Sequence, residues 1–295
     1  MRGFITFVLF FIIFFTIPLA VFFYSVNSLL NPVYIKSRLS ESNAYSVFAE
    51  NVPQFIGIPE EKADEKTIPD EVKTEFTKFL KEEVTGEYLQ NKIEPYIDDN
   101  FEWLRKEKSN VPELDFGDLS EKLDKLAMKH LLAEDLEQFL STPLKYDPGD
   151  GTQIQKIYGL IQLAPLVLII ASLVILTLII LMAKGLKSKL RKFALALSLP
   201  SFFGLLITGT VFLLGSFIVG FVTADIDKFE FKNLGKTMND LLIKIPLDLS
   251  VMMAVIFGAL IFAAAVAFLA SFFIKGGSSS SQNVASQVTP QALPK

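Results

Sequence analysis

Cysteine is absent from the 295 residues, and histidine occurs once, at His130. The first absence removes disulfides, thiolate metal sites and cysteine nucleophiles together. The second leaves His130 with only Glu134 on its expected helix face, too few ligands for a zinc helix and too few groups for a triad. No G-x-G-x-x-G, P-loop or G-x-S-x-G run occurs either, so the common dinucleotide, nucleotide and acyl-transfer signatures are missing. The expectation is a protein without catalytic, metal or cofactor residues. Asp147-Pro148-Gly149-Asp150-Gly151 reads as turn chemistry, because the distal Glu and further ligands of a calcium loop do not follow.

Charge is missing from four long stretches. Residues 3–35, 157–183, 193–224 and 249–274 contain no Asp, Glu, Lys, Arg or His. Each exceeds the roughly 20 apolar residues that a helix needs to cross a bilayer core. Ion-coupled carriers place ionisable groups inside the membrane; these spans offer none, which weighs against a proton or sodium pump.

The charges that are present set an expected orientation. Lys184, Lys187, Lys189, Arg191 and Lys192 crowd residues 184–192 with no acid among them, whereas residues 31–155 hold 27 acids against 15 basic groups, a net of −12. By the positive-inside bias the basic loop is cytoplasmic. The acidic segment and residues 225–248 are then extracytoplasmic, with both termini inside. An acidic exterior also argues against nucleic acid as a partner.

The expected fold is all-α: four transmembrane helices with a small, mainly helical extracytoplasmic domain. Residues 1–30 form the first span, read as a retained signal anchor because its apolar run is too long for a cleaved signal. Residues 31–155 form the acidic domain, 156–184 the second span, 185–192 the basic loop and 193–224 the third span. Residues 225–248 make a short amphipathic segment along the outer interface, 249–275 the fourth span, and 276–295 a disordered cytoplasmic tail.

Within the acidic domain, Asn31-Pro32 predicts a helix start, with Asn as N-cap and Pro at the first helical position. That helix runs to about residue 50, with a break near 40–43, and residues 51–69 read as a loop. Val72, Phe76, Phe79, Leu80 and Val84 recur at helical spacing, as do Leu89, Ile93, Tyr96, Ile97, Phe101 and Leu104. A third helix is expected over about 119–141, capped by Ser120. The doublets Glu60-Glu61, Glu82-Glu83 and Asp98-Asp99 read as solvated faces, because neighbouring side chains diverge.

Small residues mark the third and fourth spans: Gly204, Thr208, Gly215, Ser216 and Gly220 on one, Ala259, Ala263, Ala267 and Ser271 on the other. In lipid, such residues let helix backbones approach closely. The two spans are expected to pack on each other or on a second copy; a pore lined by these residues is the functional alternative.

The order of one span, an exterior domain and three further spans resembles the layout of FtsX- and MacB-type membrane subunits, and the resemblance is of topology alone. It implies a cytoplasmic ATPase partner and a role in a channel or export complex. The claudin pattern is absent: its W-x-L-W run and cysteine pair have no counterpart around Trp103, the sole tryptophan. The leading expectation is a non-catalytic protein of a bacterial or archaeal cell membrane. Residues 31–155 would bind a protein partner, as adaptor or sensor, while the spans contact the lipid bilayer. An envelope enzyme would need a site assembled from scattered acids such as Glu113, Asp115 and Asp118.

Overall fold

The computed structural model describes residues 2–55, 70–125, 144–145, 151–226 and 233–274. Nine helices occur among them: α1 (Arg2–Leu29), α2 (Pro32–Glu41), α3 (Ala44–Phe55), α4 (Asp70–Glu83), α5 (Gly86–Leu104), α6 (Gly117–Lys125), α7 (Gly151–Leu181), α8 (Leu186–Ile226) and α9 (Leu234–Phe273). Two short strands, β1 (Glu113–Leu114) and β2 (Leu144–Lys145), pair antiparallel, Glu113 opposite Lys145. Four helices, α1, α7, α8 and α9, are long and apolar enough to cross a membrane. Each holds one proline, Pro18, Pro165, Pro200 or Pro246, whose missing N–H removes one rung of the backbone ladder.

The remaining helices form a polar domain with its own core. Asn31 caps α2, its side chain accepting from the Val33 amide at 2.9 Å. Ser42 ends α2 and Asn43 turns the chain at φ 54°, a left-handed position that Asn tolerates better than most residues. α3 can therefore fold back beside α5. Tyr45 and Ala49 of α3 meet Phe76, Phe79 and Leu80 of α4, Leu89 of α5 and Leu119 and Leu123 of α6 in one buried cluster. The rows expected on α4 and α5 supply Phe76, Phe79, Leu80 and Leu89, whereas Tyr45 and Ala49 of α3 belong to no expected row.

Local readings shift in several places. α3 continues through Phe55, so the expected loop after residue 50 loses its first turn to helix. Asp115 accepts from the Gly117 amide at 2.8 Å, so α6 starts before Ser120. Ser120 is a buried residue inside the helix, not its cap. Residues 56–69, 126–143, 146–150, 227–232 and 275–295 fall outside the described residues, and with them Glu60-Glu61, His130, Glu134, the Asp147 turn, part of the expected 225–248 segment and the expected tail.

The largest difference concerns the two longest helices. α8 has 41 residues and α9 has 40, about 60 Å each, twice the roughly 30 Å hydrocarbon core. Residues 186–192 are thus the first turns of α8, not a loop; residues 182–185 make the connection. Residues 234–248 are likewise the opening turns of α9 instead of a separate interfacial helix. Leu234, Gly235, Thr237 and Pro246 are buried along these turns, and α9 touches α3.

Candidate functional site

The polar domain joins the bundle through built contacts on two different spans. On α2, Tyr34 and Arg38 lie four residues apart and share one face. The Tyr34 hydroxyl donates to Asp248 Oδ2 of α9 at 2.6 Å, and the Arg38 guanidinium pairs with the same oxygen at 2.8 Å. Arg38 also sits over the Tyr34 ring, 5.3 Å from its centroid, and pairs with Glu41. Burial, and then the hydrogen bond to Asp248, push the Tyr34 hydroxyl up to about 12, so it stays a donor. Between these residues, Lys36 reaches both oxygens of Asp98 on α5 at 2.8 Å. α2 is thereby tied to α9 on one side and to the polar domain on the other.

The second attachment lies between α5 and α7. Gln155 donates to the Trp103 carbonyl at 2.8 Å, and the Phe101 and Tyr158 rings meet edge to face at 6.1 Å. Phe101, Trp103 and Tyr158 are all buried. Aromatic pairs of this kind hold orientation as well as area.

Inside the polar domain each acid of the two described doublets meets a different lysine. Asp98 pairs with Lys36 and Asp99 with Lys108; Glu82 pairs with Lys78 and Glu83 with Lys122. These two doublets thus diverge as side chains. Asp118 takes Lys92 at 2.9 Å and the Tyr88 hydroxyl at 3.0 Å. Burial works to raise Asp118, but these two donors outweigh it and hold the carboxyl below its usual range. Asp115 caps α6 and Glu113 is exposed in β1.

The spans α8 and α9 pack antiparallel along a seam of small residues. Gly204 lies under the Phe257 ring so closely that an added Cβ would sit 2.1 Å from it; Gly215 lies against Pro246, where a Cβ would fall at 2.4 Å. Thr208 donates to the Gly204 carbonyl at 2.9 Å, and Ser250 donates across the seam to the Thr208 carbonyl at 3.4 Å. On α9 the inward row runs Pro246, Ser250, Met253, Phe257, Ala264, Ala267 and Ser271, all buried.

That row alternates steps of three and four, completed by Leu260, instead of the constant four of Ala259, Ala263, Ala267 and Ser271. A constant step of four drifts about 40° around the helix each time, whereas alternating steps stay on one face. Ala267 and Ser271 are therefore inside, while Ala259 and Ala263 are exposed. Gly220 is also exposed, with open space where a Cβ would go, and Ser216 is half-buried. Gly204, Thr208 and Gly215 are brought to α9; Gly220, Ala259 and Ala263 are not brought to this seam.

At the opposite end from the polar domain, Lys187, Lys189, Arg191 and Lys192 project from the first turns of α8, beside Lys184. Arg191 stacks over the Phe272 ring of α9 at 5.5 Å. No acid occurs anywhere in residues 156–224.

The Tyr34–Arg38–Asp248 clamp was not foreseen from the sequence. One signal was available: Asp248 borders one charge-free stretch, and Tyr34 lies at the end of another, 214 positions away. A carboxylate at such an edge needs a partner.

No protein-family model matches this chain, and neither does any curated protein or solved structure.

Proposed function

We propose that this is a non-catalytic multi-pass membrane protein whose polar helical domain, residues 31–155, is an extracytoplasmic binding module serving as adaptor or sensor. The observation that carries this reading is the double attachment of that domain, to α9 through Asp248 and to α7 through Gln155 and Tyr158. A partner that tilts the domain pulls on both spans at once. The separate engagement of Asp115 and Asp118 in a cap and an ion pair supports a non-catalytic role. Positive-inside charge supports a cytoplasmic placement for Lys184, Lys187, Lys189, Arg191 and Lys192.

The second reading is a subunit of a channel or export complex, in keeping with the FtsX- and MacB-type layout. The acid-free basic end of α8 favours it, because that surface suits an acidic cytoplasmic partner. Exposed Ala259 and Ala263 would serve a homo-oligomer in either case.

Cross-linking in native membranes separates the readings. The full-length chain is compared with one lacking residues 36–150, insertion being checked by protease protection. A partner identified by mass spectrometry only with the full-length chain supports the adaptor. Capture of a cytoplasmic ATPase by both forms overturns it in favour of the export subunit.

A further inference from the structure

The bundle is not closed on all sides. α7 leans on α1 and α8 but scarcely meets α9, and the gap is a cleft of about 390 Å³. Ala20 and Val21 of α1 form its buried floor. Leu173 and Leu176 of α7 make one wall, and Ile256 and Leu260 of α9 the other. Along α1 the lining rises from Ile17 to Tyr24, about 10 Å, within the half nearer the polar domain.

We infer that this cleft is a binding site for one acyl chain of a bilayer phospholipid. Its walls are continuous with the lipid-facing surface, since Leu173 is 58% exposed at the rim while Ala20 is 5% exposed at the floor. Water does not suit it, because a bound water needs two to four polar partners. Hydroxyls are few: Ser172 gives its proton to Thr16 at 3.2 Å, and Tyr24 stands at the exposed upper end. A helix does not fit either. A helix crossing the bilayer runs about 30 Å, three times the length of the cleft. A chain of about a dozen methylenes does fit, if each is taken near the roughly 30 Å³ share of a liquid water.

Photolabelling tests the assignment. The full-length protein is reconstituted in phosphatidylcholine vesicles doped with a phosphatidylcholine that carries a diazirine midway along one chain, irradiated, and mapped by mass spectrometry. Adducts are expected at Leu173, Leu176, Ile256 and Leu260 at about five times the level found at Leu166 and Phe217. The latter two are at least as exposed as Leu173 but lie outside the cleft. Ala20→Phe, which fills the floor, should abolish the enrichment and leave Leu166 and Phe217 unchanged. Leu173→Trp fills the same space from the exposed rim and should do likewise where Ala20→Phe disturbs folding. Even labelling of all six positions would overturn the site. So would enrichment that survives both substitutions, or replacement of the adducts by cross-links to a second copy of the chain.

Discussion

The polar domain closes around Phe76, Phe79, Leu80 and Leu123, whereas the bundle joins its two longest helices through Gly204, Thr208, Gly215, Ala264 and Ser271. The large side chains of α8 go the other way: Leu206, Leu213, Phe217 and Phe221 are exposed. The contrast follows from the solvent. In water, removing a Phe or Leu from contact with solvent stabilises by about 1.5–3 kcal/mol. In hydrocarbon the surroundings are as apolar as Leu, so that term vanishes and close backbone packing takes over. Met253 and Phe257 are the informative exceptions, large residues buried in the same row, and glycine at 204 leaves room for the Phe257 ring. The clamp lies where the regimes meet, so it is made of polar groups that face each other.

The contrast is broken most strongly by shortening a core residue of the polar domain. Leu80→Ala and Leu123→Ala, at positions 1% and 0% exposed, should each cost about 2–5 kcal/mol. Trp103 is the only tryptophan and is buried in α5, so urea unfolding followed by its fluorescence reads this directly. Phe217→Ala should leave both the domain and the bundle unchanged; a loss there as large as at Leu80 would mean that the two cores obey one rule.

Next in size is the reverse change in the seam. Gly204→Ala drives a methyl into Phe257 and should cost about 1–3 kcal/mol through overpacking, read as a lower midpoint in detergent-induced unfolding. Gly220→Ala meets nothing within 4 Å and should be neutral or slightly stabilising through helix propensity. Equal effects at the two glycines would sink the seam. Ala263→Leu should leave the monomer intact, since that position is exposed, and should weaken self-association only where a second copy packs on it.

The clamp gives a smaller effect, because its groups are partly solvated. Asp248→Asn should cost about 1 kcal/mol, and a cycle with Arg38→Gln should recover most of that as coupling. Additive losses would show that the pair is idle.

The weakest effects appear at the two ends of the pH scale. Asp118 lies below its ordinary 3.8 in the fold, so its contribution is complete above that value and is lost as the pH falls through the folded value. Tyr34 lies above its ordinary 10.0, at about 12. Its contribution is present below 10 and is lost as the pH rises through 12. Asp118→Asn should flatten the acid limb and Tyr34→Phe the alkaline one, both followed by Trp103 fluorescence.

Much of the architecture was legible because the signals are local. Absence of charge marked the four apolar helices, Asn31-Pro32 marked the start of α2, and the apolar rows of α4 and α5 marked the faces that are buried. The break expected near 40–43 falls at Ser42 and Asn43, where Asn43 takes a positive φ. Ser120 misled because a hydroxyl near a helix start resembles a cap, while the carboxylate of Asp115 was better placed to take the Gly117 amide. The face of α9 misled because steps of four and steps of three and four share Ala267 and Ser271, and only contact with α8 chooses between them.

Sequence by itself determined how many helices are apolar enough to cross a membrane, where charge collects, and which row of α4 turns Phe76, Phe79 and Leu80 inward. Those properties depend on residues a few positions apart along one helix, so composition and period carry them. Tertiary structure alone decided that α8 and α9 run on past the apolar stretches, that Phe257 lies on Gly204, that Asp248 meets Tyr34 and Arg38, and that α7 stands away from α9. Each of these depends on distance between segments remote in the chain, and such distances are fixed by packing complementarity, which no single segment contains.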